Sequence, residues 1–106
     1  MQRVTLVRYT TKPGRAADNE ALAKSVFEPL RDEPSQGIGY AVLRSDNEFI
    51  HLFVNLKADD ASAVTELPAF KVFEKDLAER CDGPPTVMRV AADLVDAYGF
   101  CRGALA

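Results

Sequence analysis

The stretch EFIHLFVNL, residues 48–56, contains the single histidine of the chain. Histidine's ordinary pKa lies nearest neutrality, so it can take a proton from a small molecule and return it. In an extended strand, alternate side chains share a face. Phe49, His51, Phe53 and Asn55 then form one face, and Ile50, Leu52, Val54 and Leu56 the other. The first set could do chemistry. His51 would serve as a base, Asn55 would orient a carbonyl or hydroxyl, and Phe49 and Phe53 would be flat walls for a planar ring. Tyr40 and Arg44 fall on one side of the preceding strand, where each could donate to an oxyanion. Tyr9 and Arg8 fall on opposite sides of the first strand, so at most one of them enters such a chamber.

Each residue also has a plainer reading. A histidine on a buried sheet face is often a hydrogen-bonded core or interface residue. Asn55, near a strand end, can cap the loop that follows. Tyr40 can be an interface aromatic. Arg44, beside the SDN turn, can pair with Asp46 or Glu48 in solvent. Cys81 follows a charged helix end, and nothing near it in sequence would lower its pKa and make it reactive.

The elements that must position these groups are readable from periodicity. Residues 3–11, RVTLVRYTT, alternate and are rich in β-branched and aromatic types, so they form the first strand. KPG then punctuates the chain. Asp18 reads as the N-cap of a helix over 19–31, with Leu22, Val26 and Leu30 on one stripe and Pro29 as a defect in its last turn. IGYAVLRS (38–45) and FIHLFVNLK (49–57), joined by a short polar link, read as an antiparallel hairpin. LPAFKVFEKDLAERC (67–81) reads as one helix with Pro68 in its first turn and Phe70, Phe73, Leu77 and Cys81 on its core face. DGPP ends it, TVMRVAADLV (86–95) is the fourth strand, and an aromatic tail follows. The order β-α-β-β-α-β is the ferredoxin-like arrangement, an α+β fold with an antiparallel sheet and both helices on one face. One domain covers 1–106, with a tail at about 101–106. The aliphatic face of the third strand is expected to meet the helices. The Phe49, His51 and Phe53 face would then be left in water unless a second copy covers it, so the sequence predicts a homodimer.

Composition narrows the classes. Of 106 residues, 47% are hydrophobic and 27% charged, with a net charge of −3. Lys and Arg are scattered rather than clustered, which argues against nucleic acid as a partner. No apolar run approaches the roughly 18 residues of a membrane span, and the N-terminus enters a strand directly, without a signal-like apolar region. Cys81 and Cys101 have no metal or redox spacing and read as free thiols in a reducing cytoplasm.

LPAFKVFEKDLAERCDGPP, followed by a strand and a terminal YGF, resembles the antibiotic biosynthesis monooxygenase domain family. VTLVRYTTKPGR and FIHLFVNL are similar to that family's pattern as well, so the resemblance spans roughly Val4 to Phe100. It implies a dimeric α/β barrel, in which two ferredoxin-like sheets pack face to face around a cavity in each subunit. It also implies cofactor-independent oxygenation of a phenolic or quinol substrate or, in one branch, heme degradation. Oxygenation without a cofactor needs a dry pocket, a proton acceptor and donors that hold the anion. On that basis His51 is the candidate catalytic residue, and Asn55, Tyr40, Phe49, Phe53 and Arg44 are candidate substrate contacts, with no cofactor and no metal. Two departures stand out. The chain has no tryptophan, and FKVFEKDLAERC lacks the histidine that carries heme in the degrading branch, so heme ligation is not carried over. The alternatives are a non-catalytic dimer that binds a small hydrophobic or aromatic molecule, and an aromatic face that is solid interface.

Overall fold

The computed structural model describes residues 3–32, 38–55, 62–93, 95–96 and 98. Leu56, Phe100, Cys101 and the expected tail at 101–106 lie outside them. The described elements run β1 (Arg3–Thr10), α1 (Ala16–Asp32), β2 (Ile38–Ser45), β3 (Glu48–Asn55), α2 (Ser62–Thr65), α3 (Pro68–Lys75), α4 (Leu77–Arg80) and β4 (Thr86–Ala91). The strands pair antiparallel in the order β2-β3-β1-β4. This is the α+β ferredoxin-like fold that the element order predicts.

The β2–β3 hairpin closes on Asp46 and Asn47, with Ser45 opposite Glu48. Asp46 takes the left-handed conformation at φ 54°, which Asp tolerates better than most residues. Helix α1 begins at Ala16, three residues before its expected start at residue 19. Asp18 therefore lies within the first turn, 3.5 Å from Arg15. Pro29 does not end it, because one lost amide bond near the C-terminus leaves the rest of the ladder intact. The buried residues Ala16, Asn19, Ala23 and Val26 recur every three or four positions, so one stripe faces the sheet.

Three expectations are corrected. The helix over 67–81 is two segments, because Asp76 leaves helical geometry (φ −111°, ψ 20°) and its carbonyl accepts from the amides of Glu79 and Arg80 that start α4. The fourth strand stops at Ala91 rather than residue 95. The third correction is the largest: the helices cover the opposite face of the sheet from the one expected. Phe73 of α3 packs against His51, Phe70 meets Phe53 edge-on, and Phe27 of α1 stacks on Tyr40 at 4.7 Å. The uncovered side carries Ile50, Leu52 and Val54 with Val4, Leu6, Ala41, Leu43, Met88 and Val90. Both faces of β3 are apolar enough to be buried, so alternation alone could not decide between them. The polar atoms decide. His51 needs buried hydrogen-bond partners, and these are Tyr9 of β1 and Tyr40 of β2, the first of them held in turn by Asn19 of α1.

Candidate functional site

Beneath the helices lies a cavity of about 310 Å³, at the lower end of the range for small-molecule sites. Val7, Phe53, Phe70, Phe73, Leu77, Pro85 and Val87 give it apolar walls. Tyr9 and His51 stand at one end, and Arg3, Thr5, Asn55, Thr65, Glu74 and Arg89 supply its other polar groups.

His51 is 2% exposed and both of its ring nitrogens are occupied. Nε2 lies 2.7 Å from the Tyr9 hydroxyl and Nδ1 lies 2.7 Å from the Tyr40 hydroxyl. Burial lowers the imidazole pKa to about 4, so the ring is neutral near pH 7. Burial also raises Tyr9 to about 12, against a smaller lowering by its bond from Asn19, and it raises Tyr40 further. Both therefore remain phenols.

The bonds acquire a direction from a group the sequence reading did not single out. Arg80 is 1% exposed and finds neutral acceptors: its Nε donates to Asn19 Oδ1 at 3.1 Å, and its Nη2 donates to the Phe73 carbonyl at 2.6 Å. Its guanidinium also lies over the Phe73 ring, 5.2 Å from the centroid. A guanidinium only donates, so the oxygen of the Asn19 amide must face it. The amide nitrogen therefore donates to Tyr9, at 2.8 Å. Tyr9 accepts that bond and has its own hydrogen left for His51 Nε2. The neutral ring then carries its hydrogen on Nδ1 and donates it to Tyr40. The half-buried Tyr40 hydroxyl keeps the last hydrogen of the chain.

The expected site residues separate in space. His51, Phe53 and Asn55 line the cavity. Tyr40 lies behind it, stacked on Phe53 at 4.3 Å and bonded to His51. Phe49 is fully buried and stacks on Tyr9 at 5.7 Å, so it braces that ring. Arg44 does not line the cavity. It donates to Glu20 at 3.2 Å and to the Asp46 carbonyl at 2.7 Å. Cys81 is buried, and burial raises its thiol pKa. Tyr98, in the aromatic tail, is 97% exposed in the protomer. Asn55 Oδ1 is buried with no hydrogen-bond partner.

Of the residues in this hydrogen-bonded group, the sequence weighs Tyr9 only as an alternative to Arg8, and singles out neither Asn19 nor Arg80. Asn19 looked like the first residue of a helix and Arg80 like a solvated helix end. The available signal was phase: Asn19 lies on the Ala16, Ala23 and Val26 stripe, and Arg80 lies three residues beyond Leu77 on the Phe73 stripe.

No family model matches the chain, and no curated protein matches it significantly. Solved structures do match. Rv0793 from Mycobacterium tuberculosis superposes with a TM-score of 0.75 at 16% identity, over 91% of this chain and 100% of that one. A provisionally assigned antibiotic biosynthesis monooxygenase from Nitrosomonas europaea gives 0.72 at 18% identity, over 86% and 89%. SnoaB, a cofactor-independent oxygenase from Streptomyces nogalater, gives 0.65 at 17% identity, over 89% and 95%. The chain shares their fold over most of its length.

Proposed function

We propose that this chain is a cofactor-independent monooxygenase that oxidises a small phenolic or quinol-like ring in the cavity. The observation that carries the reading is the Tyr9–His51–Tyr40 hydrogen-bonded chain, which leads from an apolar cavity to a half-buried hydroxyl. The fold shared with SnoaB, itself an oxygenase, supports it.

His51 by itself would be a poor base. An imidazole of pKa about 4 facing a phenol of pKa about 10 is six units short, about 8 kcal/mol. The chain avoids that cost by never loading the ring with two protons. A substrate hydroxyl donates to Tyr9 Oη, the Tyr9 hydrogen moves to Nε2, the Nδ1 hydrogen moves to Tyr40, and the Tyr40 hydrogen leaves to water. His51 thus acts as a relay that changes tautomer. The phenolate left in the cavity is electron-rich enough to reduce dioxygen. One oxygen atom bonds to the ring carbon, and the other leaves as water with the ring hydrogen and a proton taken back from solvent, which replaces the one the relay released. Phenol plus dioxygen therefore gives quinone plus water, with no external reductant.

The test is dioxygen uptake on a series of naphthols and anthrones with a free para carbon. One dioxygen should be consumed per quinone formed, and Tyr9→Phe should lower kcat about 100-fold, within the usual range for a lost proton-transfer group. If bound phenols are recovered unchanged after aerobic incubation, the cavity is a binding site only and the non-catalytic reading replaces this one.

We also infer that two copies pair through the uncovered aliphatic face of the sheet. Leu43, Met88 and Val90 there are each about half exposed, and so continuous an apolar sheet face is costly to leave in water. The cavity lies within each protomer, on the other side of the sheet.

A further inference from the structure

We propose that the Tyr9–His51–Tyr40 chain runs in both directions within one turnover: it carries a proton out as the substrate ionises, and carries one back to the hydroxide expelled when the O–O bond breaks. The proposal rests on the reading that a phenol in this cavity passes its proton to Tyr9.

Hydrogen-bond capacity gives the chain two arrangements. Tyr9 Oη meets Asn19 Nδ2 at 2.8 Å and His51 Nε2 at 2.7 Å, and Tyr9 lines the cavity, so a ligand is its one further partner. The contact with Asn19 cannot reverse. Arg80 donates to Asn19 Oδ1 at 3.1 Å, and a guanidinium has nothing to accept with. The Tyr9 hydrogen is therefore left with two directions, toward His51 or into the cavity. Before reaction it lies toward His51, whose own hydrogen is on Nδ1. Once a proton has passed outward the order is inverted. Nε2 then donates to Tyr9, Tyr40 donates to Nδ1, and the Tyr9 hydrogen points at the phenolate. Each arrangement forms as many hydrogen bonds as the other, so neither is penalised by an unmade one.

The second arrangement has no way back that bypasses the cavity. The imidazole is 2% exposed, held at both nitrogens, and flanked by the rings of Phe73 at 5.3 Å and Phe53 at 6.4 Å. It cannot turn over to exchange its nitrogens without breaking both bonds. Its two partners stay phenols, because burial raises the pKa of each. The chain is reset only when a proton enters at Tyr40, its half-buried end, and the Tyr9 hydrogen leaves into the cavity.

The reaction presents an acceptor at that moment. Dioxygen bonds to a ring carbon of the phenolate as a peroxide anion. The peroxide takes up the hydrogen on that carbon as the O–O bond breaks, the C–H electron pair becomes the second carbonyl bond, and hydroxide leaves. Phenolate plus dioxygen thus gives quinone plus hydroxide. A hydroxide is small enough to reach Tyr9 within the cavity, and leaving it bare among aromatic rings is costly. Tyr9 gives it a hydrogen, Nε2 replaces the one on Tyr9, Tyr40 replaces the one on the ring at Nδ1, and solvent replaces the one on Tyr40. The second product is then water, and the chain is again in its starting arrangement. Tyr9 is accordingly the base of the first half of the reaction and the acid of the second.

The experiment is rapid-mixing infrared spectroscopy of protein carrying ring-labelled histidine. The chain has one histidine, so the marker bands of the two tautomers belong to His51. Binding of 1-naphthol without oxygen should convert the ring from its Nδ1–H to its Nε2–H form. When oxygen is admitted, the Nδ1–H band should return with the same rate constant as the quinone absorbance rises. Tyr40→Phe, which cuts the outer end of the chain, should lose both band changes and form quinone about 100-fold more slowly. The wild-type comparison decides by itself if that variant does not fold. Quinone that appears several-fold faster than the Nδ1–H band returns would mean that the hydroxide draws its proton from elsewhere, and the proposal falls with oxygenation intact. Quinone formed with no change of tautomer on naphthol binding overturns it as well. If no quinone forms at all, the functional reading fails and takes this one with it.

Discussion

His51 is the residue on which the chemistry turns, and its environment makes a sharp statement about pH. The relay needs a neutral ring with one nitrogen free to accept from Tyr9. A protonated ring would present two donors and break that bond. With the pKa near 4, kcat/KM for a phenolic substrate should be flat from about pH 8 to about pH 5 and fall below that, instead of breaking near 6.5. The same shift sets a stability window. The unfolded chain takes up a proton near pH 6.5 that the folded chain refuses until about pH 4, so folding is weakened as pH falls through that interval. Integrated from pH 7 to pH 4.5, the loss is about 2–3 kcal/mol at 1.4 kcal/mol per unit. Urea unfolding at the two pH values measures it directly, and His51→Gln should remove that increment. A wild-type histidine that titrates near 6.5 in a nitrogen-resolved spectrum, where its resonances stand alone, would refute both the flat profile and the slope.

At the scale of elements, Arg80 joins what the sheet alone would leave loose. Its side chain links α4 to Asn19 of α1 and to the last turn of α3, a place where a cation also suits the helix dipole. The backbone pins it further: the Lys12 amide donates to the Arg80 carbonyl and the Asp82 amide donates to the Thr10 carbonyl, both at 2.7 Å. Arg80→Ala strands the Asn19 oxygen and a buried carbonyl, and should cost about 3 kcal/mol. Arg80→Lys should recover only part of this, because an ammonium cannot reproduce the planar fork. The distinguishing readout is the His51 tautomer. With the amide of Asn19 free to turn, the Nδ1–H form should lose its dominance in the Lys variant even where the fold survives. A wild-type level of that form would mean that Arg80 is structural only. The same elements show what a sequence can and cannot disclose. The strands, the Asp46 turn and the α1 stripe follow from period, because local sterics and amphipathicity create them. The site does not, because its direction depends on a buried charge meeting a buried amide, and composition makes both look solvated. Phase was the one trace they left.

At the scale of the molecule, among the described residues the sheet has one face under helices and one bare, and the two differ in kind. The covered face holds rings and satisfied polar groups. The bare one is almost purely aliphatic from β2 across to β4, interrupted by Arg8, which is held by Glu48 at 2.8 Å near one end. A cavity that opens beneath the helices does not need a partner to be complete. Pairing of the bare faces would therefore stabilise the chain without entering the chemistry. Light scattering should accordingly find a dimer at micromolar concentration, and Leu43→Glu with Met88→Glu should yield a monomer. Both side chains are half exposed already, so the charges disrupt the interface rather than the core. The monomeric variant should keep its affinity for naphthols while its unfolding midpoint falls. Were ligand binding to vanish with the dimer, the cavity would be a product of assembly after all, and the two faces of the sheet would not be independent.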